Sequence, residues 1–327
     1  MRMAKTTIIA IAAAAAFGAA LVAAGMTLQR AGERWDSRQQ AIAASDRDRA
    51  ELRRRIDALG TAAAYAELKR DSSAEGVAER HGKAHVFGEL AYAKDGIGGI
   101  RACDADMSFG CYHGLIVKAL AAEGIGALQR IDAACVYAYG PDDTGCRHGI
   151  GHGLVEYYGP RDLADALGKC AMLRPPGLLG CTQGVFMEFA TAAEDEPALA
   201  DPSRPDLPCS AVPAEFRPSC YFEQPYFLRL RLGYDGAAAA ARCDALADAT
   251  ERRACLLGYG RSAAELGGYR AAGVTAACDA LGPEDRPACY AGAHWLYEAL
   301  GKAEPDPSFC EASGDAAGCI EAAAAIK

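Results

Sequence analysis

The stretch CRHGIGHGLVEYYG, residues 146–159, sets His148 and His152 four residues apart, and Glu156 continues the same helical face. Side chains at i and i+4 lie on one side of a helix, so two imidazoles at this spacing can share a metal and a carboxylate can add an oxygen ligand. His81 and His85 repeat the spacing, and five of the six histidines fall between positions 81 and 152. His85, His113 and His148 each stand eleven residues before a glycine (Gly96, Gly124 and Gly159), which puts them at one equivalent position of three successive units; Gln183, Phe222, Leu257 and Ala291 stand there in later units. The candidate metal ligands are therefore His81, His85, His113, His148, His152 and Glu156. The column histidines are expected near helix starts, where the helix dipole disfavours imidazolium. Neutral imidazole is the form that a transition metal or a haem iron takes. Two competing readings stand beside this one: a helix-entry histidine bonding a loop carbonyl, copied by duplication, and a catalytic role.

Other chemistry is sparse. HExxH, GxSxG and P-loop patterns are missing, GYGRSA at 258–263 has no preceding strand, and no catalytic residue is assigned. DADMSFG at 104–110 begins like a calcium loop but carries Leu115 where the twelfth-position glutamate belongs. The aromatic run Tyr221, Phe222, Tyr226 and Phe227 reads as helix core before it reads as a partner-binding patch.

The elements that must position these histidines are marked by cysteine. Fourteen cysteines pair off in sequence as 103/111, 135/146, 170/181, 209/220, 243/255, 278/289 and 310/319, and the first members recur every 32 to 39 residues. A period in this range is that of a solenoid, and loop chemistry such as CVYAYGPDDTGC lies between the members of a pair. The expected disulfides therefore join Cys103 to Cys111, Cys135 to Cys146, Cys170 to Cys181, Cys209 to Cys220, Cys243 to Cys255, Cys278 to Cys289 and Cys310 to Cys319, each bracketing one helical hairpin turn. A glycine sits three residues beyond the second cysteine at Gly114, Gly149, Gly184, Gly258 and Gly292. Glycine inside a helix costs about 1 kcal/mol against alanine, so its recurrence implies a close helix contact.

The segment GIGHGLVEYYGPRDLADALGKC resembles a Sel1-like repeat, the tetratricopeptide-related helical hairpin, through Tyr158, Gly159, Asp162, Ala166 and Cys170. CDADMSFGCYHG is similar to the stapled junction of its cysteine-rich secreted bacterial members; two or three repeats match well and the later ones only in outline. The resemblance implies an interaction scaffold and carries over no catalytic residue.

Composition sets the compartment. Arg2 and Lys5 precede an uncharged stretch from Thr6 to Gly25, long enough for a spanning helix, with Val22-Ala23-Ala24 as a competing signal-peptidase site. Cysteines without a CxxC knuckle point to an oxidising compartment. Residues 81–327 carry 21 basic against 33 acidic groups, which excludes phosphate-backbone partners, and the absence of asparagine excludes N-linked glycosylation. Leu28, Trp35 and Ile42 fall seven apart and Leu52, Ile56 and Leu59 follow, a patchy heptad seam suited to a solvated stalk or a homodimer.

The expected protein is all-α: a right-handed α-solenoid of disulfide-stapled hairpins over 77–327, carried on a membrane-anchor segment 1–26 and a helical stalk 27–76. It is expected outside the cytoplasm, in the bacterial periplasm or secreted if cleaved, as a scaffold for a protein partner. The alternatives are a metal- or haem-binding protein using the first repeats, and a periplasmic or cell-wall enzyme.

Overall fold

The structure is a computed structural model that describes residues 47–194, 196–299 and 309–326. The stretch Thr6–Gly25 and the heptad positions up to Ile42 lie outside the described residues, and with them the anchor and the first part of the seam. Among the described residues no helix is long and apolar enough to cross a membrane. The chain divides into two units, Met1–Glu51 and Leu52–Lys327. Residues 47–51 of the first are helical.

The second unit is all helical among its described residues. Its first helices are α1 (residues 52–59), α2 (Thr61–Asp71), α3 (Val77–Asp95), α4 (Gly110–Glu123), α5 (Leu128–Tyr139), α6 (Gly145–Tyr158), α7 (Leu163–Leu173) and α8 (Cys181–Ala192). Then come α9 (Arg217–Arg231), α10 (Gly236–Asp244), α11 (Ala249–Leu266), α12 (Ala271–Asp279), α13 (Arg286–Ala299), α14 (Phe309–Ala312) and α15 (Ala316–Ala324). From Leu52 the segment expected as stalk joins the core of this unit: Leu52, Ile56, Tyr65 and Leu68 are buried, and the Tyr65 ring lies 4.9 Å from that of Phe87.

Seven disulfides join sequence neighbours, Cys103–Cys111, Cys135–Cys146, Cys170–Cys181, Cys209–Cys220, Cys243–Cys255, Cys278–Cys289 and Cys310–Cys319. Helices on the two sides of a staple differ in burial. Those leading into one show a narrow apolar stripe, as in α5 with Leu128, Ile131 and Cys135, or α7 with Leu163, Ala166, Leu167 and Cys170. Those leaving one are buried nearly all round at their start, as α4 is from Gly110 to Ile116 and α6 from Cys146 to Val155. The reason is their packing: α3, α4, α6, α8, α9, α11, α13 and α15 each contact the next in that order, so most are covered on two sides. The aromatic run of α9 goes into this core, with Tyr221, Phe222 and Phe227 buried.

Glycine sets how close the helices come. A Cβ on Gly114 would overlap the His85 carbonyl, and one on Gly184 the carbonyl of His148. Gly88 and Gly151 face the carbonyls of Cys111 and Cys181 in return, so α3/α4 and α6/α8 meet backbone to backbone. Gly149 departs from the expected pattern: its Cβ would meet the Tyr112 side chain at 3.0 Å, because Ile116 stands in α4 where α3 and α6 have Gly88 and Gly151. The α4/α6 crossing is therefore built of side chains.

Candidate metal centre

Helix α3 supplies His81 and His85, α4 supplies His113, and α6 supplies His148 and His152. Because α4 packs between α3 and α6, the ring of His113 sits among the other four. Its centroid is 5.3 Å from His81, 5.1 Å from His85, 5.3 Å from His148 and 4.0 Å from His152, on which it stacks. His113, His148 and His152 are buried at 2%, 6% and 6% exposure, and His81 and His85 are half-buried. Ligand nitrogens of His81, His85 and His113 lie within 4.8 Å of one another, and so do those of His113, His148 and His152.

Hydrogen bonds orient the rings. Arg261, itself 2% exposed, pairs with one oxygen of Glu223, and the other oxygen accepts from Gln183 Nε2 at 2.8 Å. A carboxylate held by a guanidinium only accepts, so the amide group of Gln183 is fixed and its Oε1 faces His148 Nδ1 at 3.1 Å. His148 must then donate from Nδ1, which leaves a lone pair on Nε2. His81 Nδ1 lies 3.2 Å from the Met107 carbonyl, which only accepts, and His152 Nδ1 lies 2.6 Å from Glu188 Oε2, so His81, and His152 when Glu188 is ionised, also turn a bare Nε2 inward. The Nε2 atoms of His148 and His152 are 2.9 Å apart, those of His81 and His85 3.1 Å, and His85 Nε2 is 3.2 Å from His113 Nδ1. Among the described residues, His113 Nε2 is buried without a hydrogen-bond partner.

No family model, curated protein or solved structure matches the chain.

The carbonyl that orients His81 comes from an unusual turn. Met107, Ser108 and Phe109 all have left-handed φ, 56°, 56° and 64°, a conformation costing roughly 1–2 kcal/mol per non-glycine residue. Lys69 holds the turn through Asp104 and Asp106, and the Tyr65 hydroxyl donates to the Asp106 carbonyl at 3.3 Å. This is the segment whose spacing imitates the start of a calcium loop; here its first two aspartates are tied to a lysine.

Burial is the largest influence on every histidine of the cluster. It lowers His81, takes His85 and His152 down to about 3, and sends His113 and His148 well below the ordinary range, with neighbouring imidazoles adding repulsion. Burial raises Glu188 to about 7, and the hydrogen bond from Glu156 works against that rise. Burial raises Glu156 as well, followed by the charge of Glu188.

The five histidines read from the sequence thus stand in one cluster, while Glu156 reaches it only through Glu188 and belongs to neither nitrogen group. His113 and His148 are the fourth residues of their helices, whereas His85 is the ninth residue of α3 and not near its start as expected. The field that keeps the rings neutral is chiefly lost hydration rather than the helix dipole. Sequence reasoning missed Glu188, Glu223 and Arg261. Two signals were available: Glu188 is the one charge in α8, and Glu223 stands three residues after Cys220, where five other units have glycine; Arg261, one of several charges in α11, had none.

Proposed function

We propose that the chain binds a borderline divalent transition metal, zinc or copper, through His81, His85, His113, His148 and His152. One observation carries the reading: with Glu188 ionised, His148 and His152 both donate from Nδ1, and their bare Nε2 atoms face each other at 2.9 Å. Facing lone pairs repel unless a cation lies between them. A proton is a poor candidate, since burial lowers both rings far below the ordinary histidine range. A metal with imidazole ligands satisfies them, and the bonds from Nδ1 to Gln183 and Glu188 are the outer-shell contacts that metal-bound histidines characteristically make. Ring centroids 4.0 to 5.3 Å apart leave no slab for a macrocycle, which favours an ion over haem.

The setting we propose for this site is the one read from the sequence: a Sel1-like, disulfide-stapled α-solenoid, held outside the cytoplasm on an amino-terminal membrane segment and serving as a scaffold. Tyr158 ending α6, Gly159 at φ 92° and Asp162 preceding α7 support the repeat resemblance, and the ordered succession of packed helices supports the array. Small-angle scattering tests the array, for which an elongated profile is expected.

Metal content of the untagged full chain, followed by zinc and copper titration of the stripped protein, tests the binding reading. Saturable uptake that persists below pH 6 and weakens only as the buried rings take up protons, toward pH 3 for His85 and His152, is expected. Failure to take up either ion overturns it.

A further inference from the structure

We propose that His113 is a bridging ligand, one imidazole ring joining two divalent ions in a dinuclear centre, with His81 and His85 completing the ligand set of one ion and His148 and His152 that of the other. The proposal rests on the metal-binding reading above and goes further in the number of ions and in the part His113 takes. His113 alone belongs to both groups of converging nitrogens. An imidazole has two ring nitrogens on divergent edges. Nδ1 of His113 faces the His85 nitrogen at 3.2 Å, while Nε2 is buried with no hydrogen-bond partner, an orphaned polar atom in a wall of imidazoles.

The other four histidines form two i,i+4 pairs, one on α3 and one on α6, with α4 between them. Spacing agrees with ligation. Metal–nitrogen bonds of 2.0–2.1 Å in a tetrahedron put neighbouring nitrogens about 3.3 Å apart, and the separations within the cluster are 2.9, 3.1 and 3.2 Å. Two ions on opposite edges of one ring would stand about 6 Å apart, from the same bond lengths plus the width of the ring. Each would hold three protein nitrogens, the ligand count of a site that keeps a position open for water or substrate.

Loading the first ion forms bonds to His113 and its pair with no change of charge on the ring. Binding of the second ion to the remaining nitrogen displaces the ring proton, which passes to water. Ligation also requires the His152 ring, stacked 22° from parallel on His113, to tilt until its lone pair points at the shared ion.

The full chain is titrated with Cu(II), and copper content and the electron paramagnetic resonance spectrum are followed together. Two ions per chain are expected, with the integrated signal of the fully loaded protein well below its copper content, because spins joined through one imidazole couple. His81→Gln and His152→Gln should each reduce the stoichiometry to one ion with a full, uncoupled signal. His113→Gln should weaken both sites; if that buried substitution prevents folding, judged by circular dichroism, the His81 and His152 variants carry the test. No copper uptake overturns this proposal, and failure to take up zinc as well overturns the binding reading. A wild-type stoichiometry of one ion leaves metal binding standing and overturns the bridge. Two ions without coupling, or two ions retained in His81→Gln, overturn the bridge as well.

Discussion

Gln183 occupies the same position in its helix as the column histidines, and it is the residue through which a buried ion pair reaches the cluster. Gln183→Leu strips His148 of its acceptor and Glu223 of a donor. Equilibrium denaturation should show a loss of about 1–3 kcal/mol, and metal competition a 10–100-fold weaker site, the usual cost of losing an outer-shell partner. Arg261→Met should be harsher, about 3–5 kcal/mol, since Glu223 is left buried without its cation; adding Glu223→Gln should restore part of it. Acid should also destabilise the metal-free protein. The five histidines are lowered on folding, so their contribution is complete above about pH 6.5 and is lost as pH falls, toward pH 3 for His85 and His152, at about 1.4 kcal/mol per pH unit for each ring that stays neutral. Glu188 is raised on folding and acts oppositely, its contribution complete below its ordinary range and gone above about pH 7. Five groups outweigh one, so thermal midpoints should fall steadily from pH 6.5 to pH 4.5. The histidine column could be read from the sequence because Gly96, Gly124 and Gly159 all end helices at positive φ, and counting back from a helix end measures height along its axis. Glu188 and Arg261 could not, because their partners lie 36 and 38 residues away on helices whose rotation only packing decides.

At the scale of elements, glycines of two kinds should respond oppositely to alanine. Gly114→Ala and Gly184→Ala drive a methyl into the carbonyls of His85 and His148; a loss of about 1–3 kcal/mol and weaker metal binding are expected, since the helices that carry the rings must separate. Gly168, inside α7, has nothing within 4 Å of its would-be Cβ, so Gly168→Ala should stabilise by about 0.5–1 kcal/mol. Denaturant melts of these variants check the contrast. The glycine recurring after five of the seven second cysteines was a legible sign of close contact, and it holds for Gly114, Gly184, Gly258 and Gly292. Gly149 escapes the rule because contact distance belongs to both partners, and Ile116 opposite it is not small.

For the molecule as a whole, each staple should contribute about 2–3 kcal/mol through its closed loop. Seven of them together exceed the net stability of about 5–15 kcal/mol typical of a folded domain, so complete reduction at neutral pH should abolish the far-ultraviolet helical signal. Survival of that signal in excess dithiothreitol would show that the core suffices alone. The pairing itself was legible in the cysteine spacing, because two cysteines flanking a single helical turnaround have no nearer partner. Every staple joins residues only 8 to 12 positions apart. A thread that emerges amino terminus first and is oxidised in order of appearance therefore always meets the correct thiol next. Its maturation needs no reshuffling of mispaired sulfurs, and each hairpin can be sealed before the following one has emerged.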